Sequence, residues 1–318
     1  EALTALEPGA AGTVLYSTGL AAITAALTAV LKTGDELLVP DSAYGPTRKF
    51  CDTTLRRFGV TATYYDPLAS GADLDALAGD RAAAILLESP GTVTMEVQDV
   101  PGICAMAKTR GIVTLLDNTW ATPLLFPAIA AGVDISVMAA TKFVGGHSDV
   151  MAGCATANAG WYDRLARSSW DMGHALSPDD AWLAARGLRT MGVRMQHQEK
   201  SALQIAHWLQ DQPRVGRMLH PALPSCPGHD FWRRDFRGSS SVFSFEFLGT
   251  REERSRFINR LANFGIGFSW GGYESLVVSG DPVRSVSEAP ATNLVRLQIG
   301  LEEPADLIAD LAQAFAGK

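Results

Sequence analysis

Basic residues do not dominate this chain. Its 27 Lys and Arg are outnumbered by 34 Asp and Glu, giving a formal charge of -7 and a pI of about 5.4. A nucleic-acid partner calls for the opposite balance, because binding displaces counterions with a basic face. Nucleic acid is therefore excluded. No long uncharged apolar run occurs, so no segment is expected to span a membrane and no membrane partner is read. No secretory signal is evident, which points to the cytoplasm. The opening residues, E-A-L-T-A-L-E, read as mid-helix, so a segment is expected upstream of them. Cysteine is scarce: Cys51, Cys104, Cys154 and Cys226 are all there are, at wide, irregular gaps and with no C-x-x-C. That spacing argues against zinc and against a disulfide framework, and fits free thiols. The six histidines also lack metal-ligand spacing, so no metal is expected. No G-x-G-x-x-G follows the first strand, which sets aside a nicotinamide-binding Rossmann protein. Repeats and low-complexity tracts are absent.

What is present is an alternation. The chain has 318 residues, 47% hydrophobic and 19% charged, a composition that supports a sizeable core. Short apolar runs predict buried parallel strands at Glu36–Pro40, Ala82–Ser89, Ile112–Asn118, Ile135–Ala140 and Met151–Asn158. Helical patterns lie between them at Leu20–Leu31, Pro46–Phe58, Val100–Arg110 and Pro123–Ala131. This rhythm implies an α/β fold with a mostly parallel sheet covered on both faces. A long helix is predicted over about Pro178–Gln212, opened by S-P-D-D with its N-cap, proline and first-turn acids. Beyond it, Ser241–Phe247 and Leu294–Ile299 alternate at period two, flanked by helical Arg251–Phe264 and Pro304–Phe315. These predict a smaller α+β domain. The division expected is residues 1–188 and residues 189–318, the second entered by the long helix.

Ligand sites in open parallel sheets lie beyond the carboxyl ends of the strands. Polar clusters fall at several such ends: Asp117 to Trp120, Thr141-Lys142, Asp41 to Tyr44, and Thr18-Gly19-Leu20 at the first helix. A carboxylate, an amine, an aromatic and a helix N-terminus could meet in one crevice. Pyridoxal phosphate (PLP) chemistry needs that set. A lysine amine holds the cofactor and moves protons. A carboxylate keeps the pyridine nitrogen protonated, a helix N-terminus binds the phosphate, and an aromatic stacks on the ring. Each residue also has an ordinary reading. Lys142 could be a solvated side chain, Asp117 a turn cap, Tyr44 a turn residue, His147 a loop residue and Cys154 core. Their coincidence is what favours a site.

The motifs carry a resemblance. S-A-Y-G-P-T (Ser42–Thr47), E-S-P-G (Glu88–Gly91), D-N-T-W-A (Asp117–Ala121), A-T-K-F-V-G-G-H-S-D (Ala140–Asp149) and R-G-L-R-T-M-G-V-R (Arg186–Arg194) come in order. S-W-G-G-Y-E-S (Ser269–Ser275) and L-V-R-L-Q-I-G-L-E (Leu294–Glu302) follow. Together they resemble the Cys/Met-metabolism family of PLP enzymes, of the aspartate-aminotransferase fold type I. S-W-G-G-Y-E-S, E-S-P-G-T-V-T-M-E-V-Q-D-V-P and H-P-A-L-P are similar to the bacterial cystathionine β-lyase branch; γ-branch members usually carry leucine where Trp270 stands. The resemblance implies that Lys142 holds the cofactor and shuttles protons, and that Asp117 faces the pyridine nitrogen. It implies that Tyr44 stacks on the ring, while Gly19, Leu20 and the Thr141 hydroxyl grip the phosphate. Arg296, helped by Ser269 and the Trp270 backbone, takes the substrate carboxylate. Strand alternation puts Arg296 on the open face, with Val295, Leu297 and Ile299 toward a core.

The implied reaction is α,β-elimination of L-cystathionine to homocysteine, pyruvate and ammonia. Its partners would be an amino-acid thioether and further copies of the chain, as a dimer of dimers. Two departures stand out. The family's Tyr-x-Arg phosphate clamp has no counterpart in these residues, and Phe268 stands where the β-lyases carry tyrosine. The stretch Gly280–Ala291 is short for the family. Two alternatives stay open: a γ-lyase, γ-synthase or broad cysteine-conjugate lyase of the same family, and a non-catalytic binding protein on the same fold.

Overall fold

The computed structural model describes residues 1–317. Seven strands form the first sheet: β1 (Gly12–Tyr16), β2 (Glu36–Pro40), β3 (Thr61–Tyr65), β4 (Ala82–Glu88), β5 (Val113–Asp117), β6 (Ile135–Met138) and β7 (Gly153–Ala157). Their order is β1-β7-β6-β5-β4-β2-β3. Pairing is parallel from β3 through β6, and β7 runs antiparallel to both neighbours. The predicted α/β architecture is therefore present, with one reversed strand. β1 and β3 escaped the sequence reading because five-residue edge strands with half-exposed residues lack an apolar run.

Side chains alternate across a strand, so one strand feeds two cores. Leu37, Val39, Ala84, Leu86 and Leu115 point to one face, where the helix Gly19–Val30 packs. Leu38, Ile85, Leu87 and Leu116 point to the other, beneath the helix Val100–Arg110. Both faces are thereby dry, as a parallel sheet requires.

A second sheet follows: β8 (Val215–Leu219), β9 (Val242–Phe247), β10 (Gly265–Ile266), β11 (Leu276–Gly280) and β12 (Leu294–Gln298), ordered β10-β11-β12-β9-β8. Phe243, Phe245, Phe247, Val295, Leu297 and Ile299 face a core closed by helices Met191–Gln210, Arg251–Arg260 and Pro304–Ala316. The opposite face is not open, contrary to the alternation argument. Val242 and Leu294 join the core of the first sheet, and Arg296 is only 9% exposed. The sheet lays that face against the strand ends of the first.

The long helix is two helices, Pro178–Leu188 and Met191–Gln210. Periodicity runs straight through the break, which is why the pattern hid it. The Gly187 carbonyl, released by the break, accepts from Thr190 N (3.1 Å) and Arg194 Nη2 (2.9 Å). The second guanidinium bond of Arg194 goes to Phe143 O (2.7 Å), so the corner is tied to the segment that follows Lys142. The predicted helix at Pro123–Ala131 shrinks to Thr122–Leu125, because Asn118 Nδ2 captures the Phe126 carbonyl (2.9 Å). Within Pro46–Phe58, residues Cys51–Leu55 widen into a π-turn. All four cysteines are free and buried. Among the described residues, no helix is long and apolar enough to cross a membrane.

Gly187 sits against backbone. A Cβ there would lie 2.1 Å from Gly145 O and 2.4 Å from Val144 O. Gly187→Ala should therefore lower stability by about 1–3 kcal/mol, read as a lower denaturation midpoint. An unchanged midpoint would show that the corner can move off the Lys142 segment freely.

Candidate active site

The carboxyl ends of β4, β5 and β6 face the second sheet across a cavity of about 380 Å³. Gly19, Leu20, Tyr44, Asp117, Thr141, Lys142, Trp270 and Arg296 all line it. Residues from six separate stretches thus meet as the motifs imply. Ser269 joins them by accepting a hydrogen bond from Lys142 Nζ (2.8 Å).

Lys142 stands one residue beyond Thr141, whose N–H and hydroxyl both bond Ala152 O (2.9 and 3.0 Å). That pair fixes the backbone from which the amine projects. The amine lies 5.3 Å from the Trp270 ring centroid. Burial, then the Arg296 charge, lowers its pKa to about 8, with Asp117 pulling the other way. A lysine with a pKa near neutrality can take up a proton as readily as it gives one.

Asp117 ends β5. Its Oδ1 accepts from Thr119 N (3.0 Å) and from the Thr119 hydroxyl. Its Oδ2 has no hydrogen-bond partner among the described residues, and the residue lines the cavity. Burial raises its pKa, while Thr119 and Lys142 oppose the rise. In register beside it on β4 is Glu88. Burial, then the Asp117 charge, pushes Glu88 up to about 8. Its Oε2 accepts from Tyr44 N (2.7 Å), and its Oε1 accepts from the Thr92 hydroxyl. Glu88 therefore anchors the backbone of the aromatic residue. The E-S-P-G motif does not by itself give Glu88 a role; its place at a strand end next to Asp117 is the signal.

Tyr44 is 46% exposed, its ring at the cavity. Its pKa is raised by burial and by the Asp117 and Glu88 charges. At the N-terminus of Gly19–Val30, Thr18 caps Ala21 N through its side chain (2.9 Å) and Ala22 N through its carbonyl (3.0 Å). The Gly19 and Leu20 N–H groups keep no acceptor among the described residues, as the first turn of a helix leaves them. The Thr141 hydroxyl, on the cavity lining, donates to Ala152 O, and the same oxygen accepts from Ala152 N (3.0 Å). Arg296 Nη2 donates to Phe268 O (2.8 Å) and Ser269 O (3.3 Å), holding the Phe268–Trp270 segment at the mouth. Burial lowers its pKa to about 10, so it stays charged at neutral pH.

The model for Cys/Met metabolism PLP-dependent enzymes matches residues 1–316. The chain belongs to this family. Cystathionine beta-lyase MetC of Escherichia coli is 41% identical over 99% of this chain and 82% of its own length. Cystathionine gamma-synthase of Mycobacterium bovis is 35% identical over 98% and 82% respectively. The crystal structure of metB from Corynebacterium glutamicum superposes with a TM-score of 0.94 at 30% identity, covering 99% of this chain and 83% of that one.

This family's cofactor fits the cavity. The unpartnered Asp117 Oδ2, on a residue that lines the cavity, is an acceptor suited to a cationic N–H. The free Gly19 and Leu20 N–H groups at a helix N-terminus suit a phosphate. The Lys142 amine is deprotonated far more readily than a surface lysine, as covalent attachment to an aldehyde requires. In cofactor-free chain, labelling of Lys142 by an amine reagent, resolved by peptide mass, should rise with a midpoint at about pH 8. A midpoint near 10.5, the ordinary value, would mean that the site does not perturb this amine.

Proposed function

We propose that the chain is a carbon–sulfur β-lyase that cleaves L-cystathionine to homocysteine, pyruvate and ammonia, a step toward methionine. The observation that carries this reading is Lys142. Its amine has a lowered pKa, sits between Asp117 and Arg296, and bonds Ser269. The similarity to relatives named cystathionine beta-lyase supports the choice of substrate.

Arg296 takes the substrate α-carboxylate; a planar guanidinium offers the two parallel donors such a group accepts. Ser269 and the Trp270 backbone hold the same end. Asp117 would hold the cofactor through its ring nitrogen, Gly19 and Leu20 would hold its phosphate, and Tyr44 would pack on its ring. When bound, pyridoxal phosphate supplies an electron sink for the pair left at the substrate Cα. Lys142 removes the Cα proton. The Cβ–S bond then breaks, and Lys142 returns the proton to the departing sulfur, so homocysteine leaves as the thiol. Water converts the three-carbon remainder to pyruvate and ammonia. Glu88, bonded to Tyr44 N, keeps the aromatic residue in place.

A homo-oligomer in the cytoplasm completes the reading. Leu20, Tyr44, Met151 and Phe268 form an exposed apolar rim at the cavity mouth, and such rims mark contact surfaces. The division at residue 188 is proposed as the joint between two units, supported by the helix break at Arg189–Thr190.

Cofactor-loaded chain given L-cystathionine should release pyruvate and homocysteine in equal amounts. Lys142→Ala should lower that rate by at least about 100-fold. Dominant 2-oxobutyrate would move the chain to γ-elimination, and turnover of neither kind would leave a binding role. Light scattering should give a mass of at least twice the 33.9 kDa chain; a monomer at micromolar concentration would sink the oligomer reading.

A further inference from the structure

One wall of the cavity is held in an unfavourable backbone conformation. Val93 and Met95 have φ of 68° and 58°. A β-branched residue in the left-handed region is a true outlier, costly unless its surroundings impose it. Both residues line the cavity, as do Pro90, Gly91 and Thr92.

Local bonds fold the segment back on itself. Met95 N donates to Gly91 O (3.0 Å), and Gly91 N donates to Glu96 O (2.9 Å). The outer grip comes from the other sheet. Arg284, in the link between β11 and β12, donates from Nη2 to the Thr94 hydroxyl (2.7 Å) and pairs with Glu96. The side chains of this pair are only 8% and 4% exposed. The link is itself fastened, because Ser285, Val286 and Ser287 all donate backbone N–H bonds to the Asp41 carboxylate, three residues before Tyr44. Val93 also fills the space above Gly280 at the end of β11. A Cβ on Gly280 would lie 2.5 Å from Val93 Cγ1.

The position matters for the reaction. Gly280 pairs with Leu294, two residues from Arg296 along β12. At roughly 3.4 Å per residue, the Val93 wall stands about 7 Å along the strand from the backbone of Arg296. Val93 and Met95 line the same cavity as Lys142 and Arg296, on the path of a group that extends past the reacting carbon.

We propose that Arg284 is a positioning residue that holds Val93 and Met95 in their left-handed form, and that the wall they make selects the leaving group. This rests on the β-lyase reading of the same site. Small thiol leaving groups stop short of the wall, whereas a long, branched-polar one such as that of cystathionine runs along it.

The test compares Arg284→Met, Glu96→Gln and Gly280→Ala with the native chain, each cofactor-loaded, on L-cysteine and on L-cystathionine. For Arg284→Met, KM for cystathionine should rise by about 10-fold with kcat within about twofold, while L-cysteine kinetics hold. Glu96→Gln keeps the shape and an acceptor, so it should shift the ratio less. Gly280→Ala drives Val93 toward the cavity and should also penalise cystathionine selectively. A crystal structure of Arg284→Met should show Val93 out of the left-handed region. Retention of both torsions, or equal changes for the two substrates, overturns the proposal. A native chain that cleaves neither substrate sinks the β-lyase reading and the selectivity claim with it. The Val93 torsion in the variant then still decides the positioning role by itself.

Discussion

Lys142 carries an amine into surroundings that favour its neutral form. Burial and the Arg296 guanidinium disfavour charge there, and Asp117 alone favours it. Besides its hydrogen bond to Ser269, such a group is held through its backbone. The Thr141–Ala152 bonds hold one side of it. Arg194 and Gly187, at the corner between two helices, hold the Phe143–Gly145 stretch on the other. The corner that shortens the long helix is thus the device that stiffens the lysine's support.

Charge placement follows from the same constraint. Two carboxylates in register at neighbouring strand ends cannot both ionise cheaply in a dry site. Burial and the Asp117 charge push the Glu88 carboxyl up, and its Oε2 anchors Tyr44. Asp117 then stays the one carboxylate with a free oxygen on the cavity. The second sheet supplies what the first lacks: the Arg296 cation, the Ser269 hydroxyl and the Trp270 ring. It reaches them across the strand ends because its own inner face is buried there rather than open.

Much of this was legible beforehand. The buried strands from Glu36 to Asn158, the helix caps and the carboxyl-end clusters follow from apolar runs and turn chemistry, which are local. The family motifs named Lys142, Asp117, Tyr44 and Arg296, and all four line one cavity. What misled was local evidence with a non-local answer. The pattern across Pro178–Gln212 stays helical, yet Arg194 and Thr190 reach back to cap a break that no period reveals. The alternation of β12 correctly separates two faces but cannot say that the polar one is covered.

Apolar periodicity and motif order by themselves determined the sheet's position in the chain and the chemistry of the site, because both are set by residue type and spacing. The tertiary structure alone decided the raised pKa of Glu88, the burial of Arg296 and the left-handed torsions of Val93 and Met95. Each of those depends on a group more than twenty residues away — Asp117, the first sheet's strand ends, Arg284 — whose distance in space no spacing along the chain encodes.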